Sequence, residues 1–383
     1  MPSISALSSV AASLAVLHGV HAAFDNTSSA NVAVYWGQNS YGKGTGDLAQ
    51  QRLSYYCASD DIDMIPLAFL TTITDTTGYP QLNFANQGDK CTLFDGTQLF
   101  DCSELAEDIP VCQEKYNKTI TLSIGGATYT EGGFTSTDEA IAAADMIWAT
   151  FGPPPADNTS SSCNTPRYST SNNNNTILRP FGLAQVDGFD FDFEATVTNM
   201  APFAQRLRDL MDAAEASDGR HRVLTAAPQC VFPDAADDQF LSGAEAVPMD
   251  AVLVQFYNNY CGVQAFVPDA TTQNNFNFDV WDQWARNASA NPGGVKVLVG
   301  VPASATAAGS GYLSAADLAP VLDYVKGFES FGGVMMWDVS QAYANDDFLS
   351  EVKGELVEAA EEDEEEDCGS GESGPGWLRS QAA

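Results

Sequence analysis

The run Asp187-Gly188-Phe189-Asp190-Phe191-Asp192-Phe193-Glu194 sets acids and phenylalanines in alternation. Successive side chains of a β-strand point to opposite faces, so Asp190, Asp192 and Glu194 share one face and the three rings share the other. Carboxyl groups two residues apart on one face repel one another when ionised, which keeps a proton on at least one of them. A retained proton is available for donation, and Glu194, last on the run, is the candidate general acid. Asp187 has the opposite parity and is expected to serve structure or hydrogen bonding where the strand begins. A solvated acidic stripe is the bland alternative. It leaves the three phenylalanines unexplained, because outward rings need helices to cover them, and a strand buried on both sides holds three acids only for a functional reason. A metal-binding carboxylate cluster would need accompanying His or Asn residues in a pattern, which is missing; neither metal nor cofactor is expected.

Other chemistries are narrowed by histidine. His18 and His21 fall in an N-terminal apolar segment, and His221 stands between Arg220 and Arg222 in a charged connection. Zinc sites of the HExxH type therefore lose a required residue, and any Ser-His-Asp triad would depend on His221, which reads as a solvated loop residue. The formal charge of −35, from 51 acidic and 16 basic residues, repels nucleic acid and anionic membranes but not a neutral substrate. Ten carboxylates and one lysine lie between Glu351 and Asp367.

Residues 1–23, MPSISALSSVAASLAVLHGVHAA, read as a secretory signal peptide despite the absence of Lys and Arg. No later segment approaches the roughly 20 continuous apolar residues of a membrane span. Secretion suits the eight cysteines, none in a C-x-x-C pair, and the N-x-S/T triplets at Asn26, Asn117, Asn158, Asn174 and Asn287. A soluble monomer, extracellular or in the cell wall, is expected.

Eight short β-rich apolar runs must position these acids: Val32 to Trp36, Met64 to Leu70, Ile120 to Ile124, Val186 to Phe193, Val223 to Ala227, Ala251 to Tyr257, Val297 to Val301 and Val334 to Trp337. Helical stretches intervene at Thr137 to Phe151, Met200 to Ala216, Phe276 to Ala290 and Ser314 to Phe328, the last opening on a Ser-Ala-Ala-Asp cap. Alternating strand and helix predicts a parallel sheet, either a (β/α)8 TIM barrel or an open doubly wound sheet. The barrel, with its active site at the C-terminal mouth, is the expectation for residues 24–350. Residues 152–175, rich in Pro, Ser and Asn, read as a surface insertion, and residues 351–383 as an acidic, disordered tail.

The segment DGFDFDFE resembles the D-x-x-D-x-D-x-E motif of glycoside hydrolase family 18, and Leu122-Ser123-Ile124-Gly125-Gly126 resembles its S-x-G-G motif. Similarity to the class III, hevamine-type chitinases runs from about residue 30 to 350. It is carried by Tyr35-Trp36-Gly37-Gln38-Asn39, Pro66-Leu67-Ala68-Phe69-Leu70, Arg179-Pro180-Phe181-Gly182, Ala226-Ala227-Pro228-Gln229-Cys230, Gln255-Phe256-Tyr257-Asn258-Asn259, Val299-Gly300-Val301-Pro302-Ala303 and Gly332-Gly333-Val334-Met335-Met336-Trp337.

The resemblance implies an endo-acting chitinase (EC 3.2.1.14) on chitin and chitooligosaccharides, in which the 2-acetamido group of the substrate is the nucleophile. It assigns Glu194 as acid and base, Asp192 as the group that orients the acetamido and stabilises its charge, Asp190 as the partner sharing a proton with Asp192, and Tyr257 as the donor to the acetamido carbonyl. Trp337 would floor the sugar site, with Tyr35, Gln38, Gln255 and Asn258 around it; Ser123, Gly125 and Gly126 would serve packing and close backbone approach. It also implies the disulfides Cys57–Cys112, Cys91–Cys102 and Cys230–Cys261, leaving Cys163 and Cys368 outside the pattern. An endo-β-N-acetylglucosaminidase acting on N-glycans and a non-catalytic, lectin-like or inhibitory relative are the competing readings.

Overall fold

The computed structural model describes residues 23–154, 167–169 and 176–357. The expected signal peptide up to residue 22, most of the insertion, Cys163, Cys368 and the acidic tail beyond residue 357 lie outside the described residues.

Eight parallel strands form the sheet: β1 (Asn31–Val34), β2 (Met64–Thr72), β3 (Thr119–Gly125), β4 (Gly188–Asp192), β5 (Val223–Ala226), β6 (Ala251–Gln255), β7 (Lys296–Pro302) and β8 (Phe331–Trp337). Each pairs with the next, and β1 pairs with β8, from Asn31↔Gly333 to Val34↔Met336. That last pairing closes the barrel and rules out an open doubly wound sheet. The expected helices form as α1 (Thr137–Phe151), α2 (Met200–Asp218), α3 (Phe278–Asn287) and α4 (Ala315–Val325). Ser314 Oγ caps α4 by accepting from Asp317 N at 3.2 Å, as its Ser-Ala-Ala-Asp start predicts. No helix among the described residues is long and apolar enough to cross a membrane.

Strand parity divides the core in two. Phe189, Phe191 and Phe193 face outward and are fully buried; Phe191 packs on Phe203 of α2 and Phe240 at centroid distances of 6.1 and 5.3 Å. Each such ring contributes about 1.5–3 kcal/mol by leaving water. Inside the barrel a separate cluster joins Ala33, Met64, Ala68, Val223, Leu253, Leu298 and Met335. Phe24 belongs to this inner cluster and its backbone N–H donates to Thr119 Oγ1, so it closes the end of the barrel where the strands begin.

That closed end is held by a repeated device. Asp63, Asp187 and Asp250 each stand one residue before an even-numbered strand, and each accepts the backbone N–H of the preceding odd strand: Val32, Ile120 and Leu224, at 2.8, 2.8 and 2.7 Å. Each also meets a cation, respectively Lys353, Arg220 and Arg208. Gln113 Nε2 adds a fourth bond to Asp187. The opposite parity of Asp187 thus places it in the scaffold, away from the inward acids.

Two segments differ from the sequence-based expectation. Arg167–Ser169, within the insertion, pairs antiparallel with Thr176–Leu178. Residues 348–357 are helical, with Val352 and Leu356 buried at a helical spacing and Lys353 bonded to Asp63, so the folded domain runs past residue 350. The three implied disulfides are formed, and Cys230–Cys261 ties the loop after β5 to the loop after β6.

Replacing Asp187 with Ala should lower unfolding stability by about 2–4 kcal/mol, since it strands Ile120 N–H and Arg220 together. Asp187→Asn, which keeps an acceptor, should lose less. Denaturant titration checks both, and equal losses would argue against the capping role.

Candidate active site

Parallel register decides what meets Asp190. Its register partners are Ser123 on β3 and Thr225 on β5, and residues in register on a parallel sheet share a face. Ser123 Oγ donates to Asp190 Oδ2 at 2.6 Å and Thr225 Oγ1 to Oδ1 at 2.7 Å. The Tyr35 hydroxyl, just past β1, reaches across the barrel to Oδ2 at 2.7 Å. Asp190 is completely buried; burial raises its pKa and the three hydroxyls oppose the rise without cancelling it. Tyr35 is raised well above the usual phenol value, by burial first and then by the charges of Asp190 and Asp192.

Asp192 ends β4. Gln255 Nε2 donates to its Oδ1 at 2.9 Å while also holding Ala227 O at 2.8 Å. Burial pushes Asp192 well above the usual carboxylate range, and Glu194, Asp190 and Asp234 push it further, against the bond from Gln255. Asp190 and Asp192 are coupled through charge, with their hydrogen bonds going to other partners.

Glu194 lies two residues beyond β4, at the open mouth, and is exposed as a whole. Partial burial of its carboxyl raises its pKa, and the charge of Asp234 adds to the rise. Tyr257, two residues beyond β6, is buried and raised well above the usual phenol value by burial, Asp192 and Glu194, so its hydroxyl stays a donor.

Opposite these acids stands an aromatic wall. Trp337 at the end of β8 lies 5.6 Å from Tyr35 and stacks on Phe69 at 5.8 Å, ring centroid to ring centroid. Phe69 departs from the alternation expected of β2, because the register with β3 slips between Ala68 and Leu70 and frees the intervening residue to join the inner cluster. Gly126 makes room for it: with φ +79°, a Cβ there would fall 2.7 Å from the Phe69 ring. At Gly125, with φ +124°, a Cβ would fall 2.3 Å from Asp192 O. Both glycines permit close approach, while Ser123 does more than pack, since it holds Asp190.

Gln38 and Asn258 stand at the same mouth with their amides engaged in bracing. Gln38 Nε2 donates to Ala68 O and Asn83 O at 2.9 and 3.0 Å, and Asn258 Oδ1 accepts Gly309 N and Ser310 N at 2.8 and 3.2 Å. His221 is half exposed near the start of β5, with Nδ1 3.0 Å from Glu215 Oε2. Sequence reasoning missed Thr225, Phe69, Asp234 and Asp237. Thr225 carries a usable signal, a hydroxyl at inward parity on β5; Phe69 carries none, because a register slip does not show in the residue pattern.

An inward row of buried carboxyls on one strand of a parallel barrel, with an acid at the mouth and an aromatic wall facing it, is an arrangement suited to a glycoside hydrolase. The profile of Glycosyl hydrolases family 18 matches residues 31–315, and the chain belongs to that family. It is 45% identical over 356 residues to the Class III chitinase of Arthroderma benhamiae, covering 92% of this chain and 94% of the relative. It is 46% identical over 357 residues to Endochitinase 33 of Trichoderma harzianum, covering 93% and 100%. Among solved structures, ICChI chitinase from Ipomoea carnea aligns with a TM-score of 0.60 at 27% identity, over 85% of this chain and 99% of that one. The xylanase-alpha-amylase inhibitor protein XAIP-I aligns with 0.61 at 28% identity, over 85% and 98%.

Gly126→Ala should lower kcat/KM on a chitooligosaccharide by about tenfold or more, through backbone strain and displacement of Phe69 from Trp337. Steady-state kinetics on the purified variant measure this, and a variant of unchanged kcat/KM would show that the wall tolerates the shift.

Proposed function

We propose that the chain is a secreted chitinase that cleaves internal β-1,4 linkages of N-acetylglucosamine polymers with retention of configuration. The observation that carries this reading is the division of labour between Glu194 and Asp192. Glu194 is exposed at the mouth with its proton held up by burial and by Asp234, whereas Asp192 lies buried below it and tied to Gln255. A donor is presented to the glycosidic oxygen, but Asp192 is poorly presented as a nucleophile. The substrate's own acetamido group supplies one, a recognised departure from the two-carboxylate scheme.

In this reading Glu194 protonates the glycosidic oxygen as the bond to the leaving sugar breaks, and the acetamido carbonyl oxygen bonds to the anomeric carbon. Asp192 accepts the acetamido N–H and stabilises the positive charge of the cyclic oxazolinium. Tyr257 donates to the carbonyl oxygen and orients it. The wall of Trp337, Phe69 and Tyr35 supports the apolar face of the distorted sugar. Water then attacks the anomeric carbon, giving a proton to Glu194 and restoring the acetamido group. Asp190, clamped by three hydroxyls, acts on Asp192 through its charge, while Gln255 keeps Asp192 oriented.

Chitin and its oligomers satisfy the demand for N-acetylglucosamine at the cleaved bond, and both chitinase-named relatives align over nearly their whole length. Identities of 45% and 46% to the chitinase-named relatives, against 28% to XAIP-I, support catalysis over the inhibitory role named for XAIP-I. Three disulfides in one domain support an oxidising, extracellular setting.

Glu194→Gln should reduce chitin hydrolysis by about 10³-fold or more, on the scale of losing a general acid, while calorimetry still detects chitooligosaccharide binding. Near-normal turnover in that variant would sink the assignment. Wild-type kcat/KM should trace a bell in pH. Activity falls on the alkaline side as Glu194 loses its proton, at a pH above the usual glutamate range because its pKa is raised. It falls on the acid side as the Asp190–Asp192 pair loses its remaining negative charge.

A further inference from the structure

Three of the N-x-S/T triplets in the sequence, Asn26-Thr27-Ser28, Asn117-Lys118-Thr119 and Asn287-Ala288-Ser289, lie among the described residues. They sit on three separate connections, and the barrel brings all three to one end. Asn26 lies between Phe24, whose N–H donates to Thr119 Oγ1 at 3.1 Å, and Asn31, which opens β1 and donates to Asp25 O at 2.8 Å. Asn117 stands two residues before β3, beside Lys118, whose Nζ donates to Ile62 O at 2.6 Å next to Asp63. Asn287 ends α3, the helix that returns from β6 to the start of β7, and Asn291 on the same connection donates to Met249 O at 3.4 Å, two residues before β6. All three triplets therefore belong to the closed end of the barrel.

At each site the asparagine is exposed while the hydroxyl of its triplet is engaged. Thr119 and Ser289 are buried, one accepting from Phe24 N and the other donating to Ala285 O at 3.0 Å, and Ser28 Oγ accepts Ala30 N at 3.0 Å. A transferase that reads the hydroxyl must act before the chain folds over it, and the fold must then leave the asparagine in solvent. Both conditions are met at each site. The loops that follow the eight strands, which form the mouth, carry no N-x-S/T triplet. A bulky, hydrated glycan there would stand between the mouth and an insoluble polymer.

We propose that Asn26, Asn117 and Asn287 carry N-linked glycans, which coat the closed end of the barrel and leave the mouth bare for chitin. In each case Nδ2 gives up one hydrogen and bonds to the anomeric carbon of an N-acetylglucosamine, while the bond from that carbon to a lipid diphosphate breaks and the proton leaves with the diphosphate. The hydrogen that remains on Nδ2 keeps a donor for the bond from Asn287 to Gln283 O, 3.1 Å long in the unmodified chain. The proposal rests on the reading of the chain as secreted, because the glycan donor is met on the secretory route.

The test is to secrete the whole chain from a eukaryotic host, release its glycans with peptide N-glycosidase in heavy-oxygen water, and find the labelled aspartates by mass spectrometry. Label is expected at all three positions, and the rate on insoluble chitin should stay within about twofold when the glycans are removed. Lys43→Asn supplies the contrast, since it creates a triplet with Gly44 and Thr45 in the exposed loop after β1, at the mouth. A glycan there should lower the rate on insoluble chitin by about tenfold or more, and its release should restore the rate. An unlabelled asparagine among the three, a rate changed severalfold by their glycans, or a mouth glycan without effect overturns the proposal. If Lys43→Asn takes up no glycan, the first two measurements decide. A chain retained in the cell would instead overturn the reading of secretion, and a host signal placed ahead of the whole chain then tests the three sites separately, so the two failures are distinguishable.

Discussion

Two carboxyl groups of the same parity on one strand, Asp190 and Asp192, point into the interior of a closed barrel, where neither bulk water nor a counter-ion screens them. Repulsion and burial act in the same direction on both, and the surrounding structure answers with hydrogen bonds to the charged form in place of cations. Ser123 and Thr225 flank Asp190 because the β3–β4–β5 register puts them there, and Tyr35 completes the clamp from across the barrel. A shift of one residue in either strand pairing would turn a hydroxyl away from Asp190 and an aliphatic side chain toward it. The close approach at Gly125, where only a missing Cβ allows Asp192 O to sit, helps to hold that register.

Alternation made much of this legible. The run DGFDFDFE states which side chains face inward, and its phenylalanines state that helices cover the outer face. The eight strands followed from short apolar runs separated by helical stretches, and closure from their number. What escaped the pattern has physical causes. Phe69 joins the inner wall through a register slip that no residue pattern announces. Asp234 and Asp237 belong to a loop, where parity has no meaning, and their importance comes from burial that only the folded loop creates. The helix at 348–357 was masked by the acidic residues that follow it, although Val352 and Leu356 are spaced for one buried face.

The same strand serves both ends of the barrel. Asp187 joins Asp63 and Asp250 in binding adjacent strands together where they begin, and seven residues later Glu194 meets solvent where the strand has ended. In parallel barrels stability residues gather at the N-terminal face and chemistry at the C-terminal face, and here one motif spans both. Its first acid is a member of a scaffold set that stands before β2, β4 and β6; its last three belong to the site alone.

Glu194 gains from lying beyond β4 rather than on it. A residue within the strand would share the dry interior of Asp192, where a carboxyl is held protonated so firmly that it neither gives up its proton readily nor recovers it from water. In the proposed mechanism the side chain two residues further on is open to the glycosidic oxygen and to the attacking water, and so changes protonation state twice per turnover. That exposure would return it to the ordinary glutamate range, in which the proton is lost before neutral pH. Partial burial of the carboxyl holds the proton instead, and the charge of Asp234 adds to the hold. On that reading the barrel interior supplies a stabiliser that changes little, and the mouth supplies an acid that is both accessible and tuned.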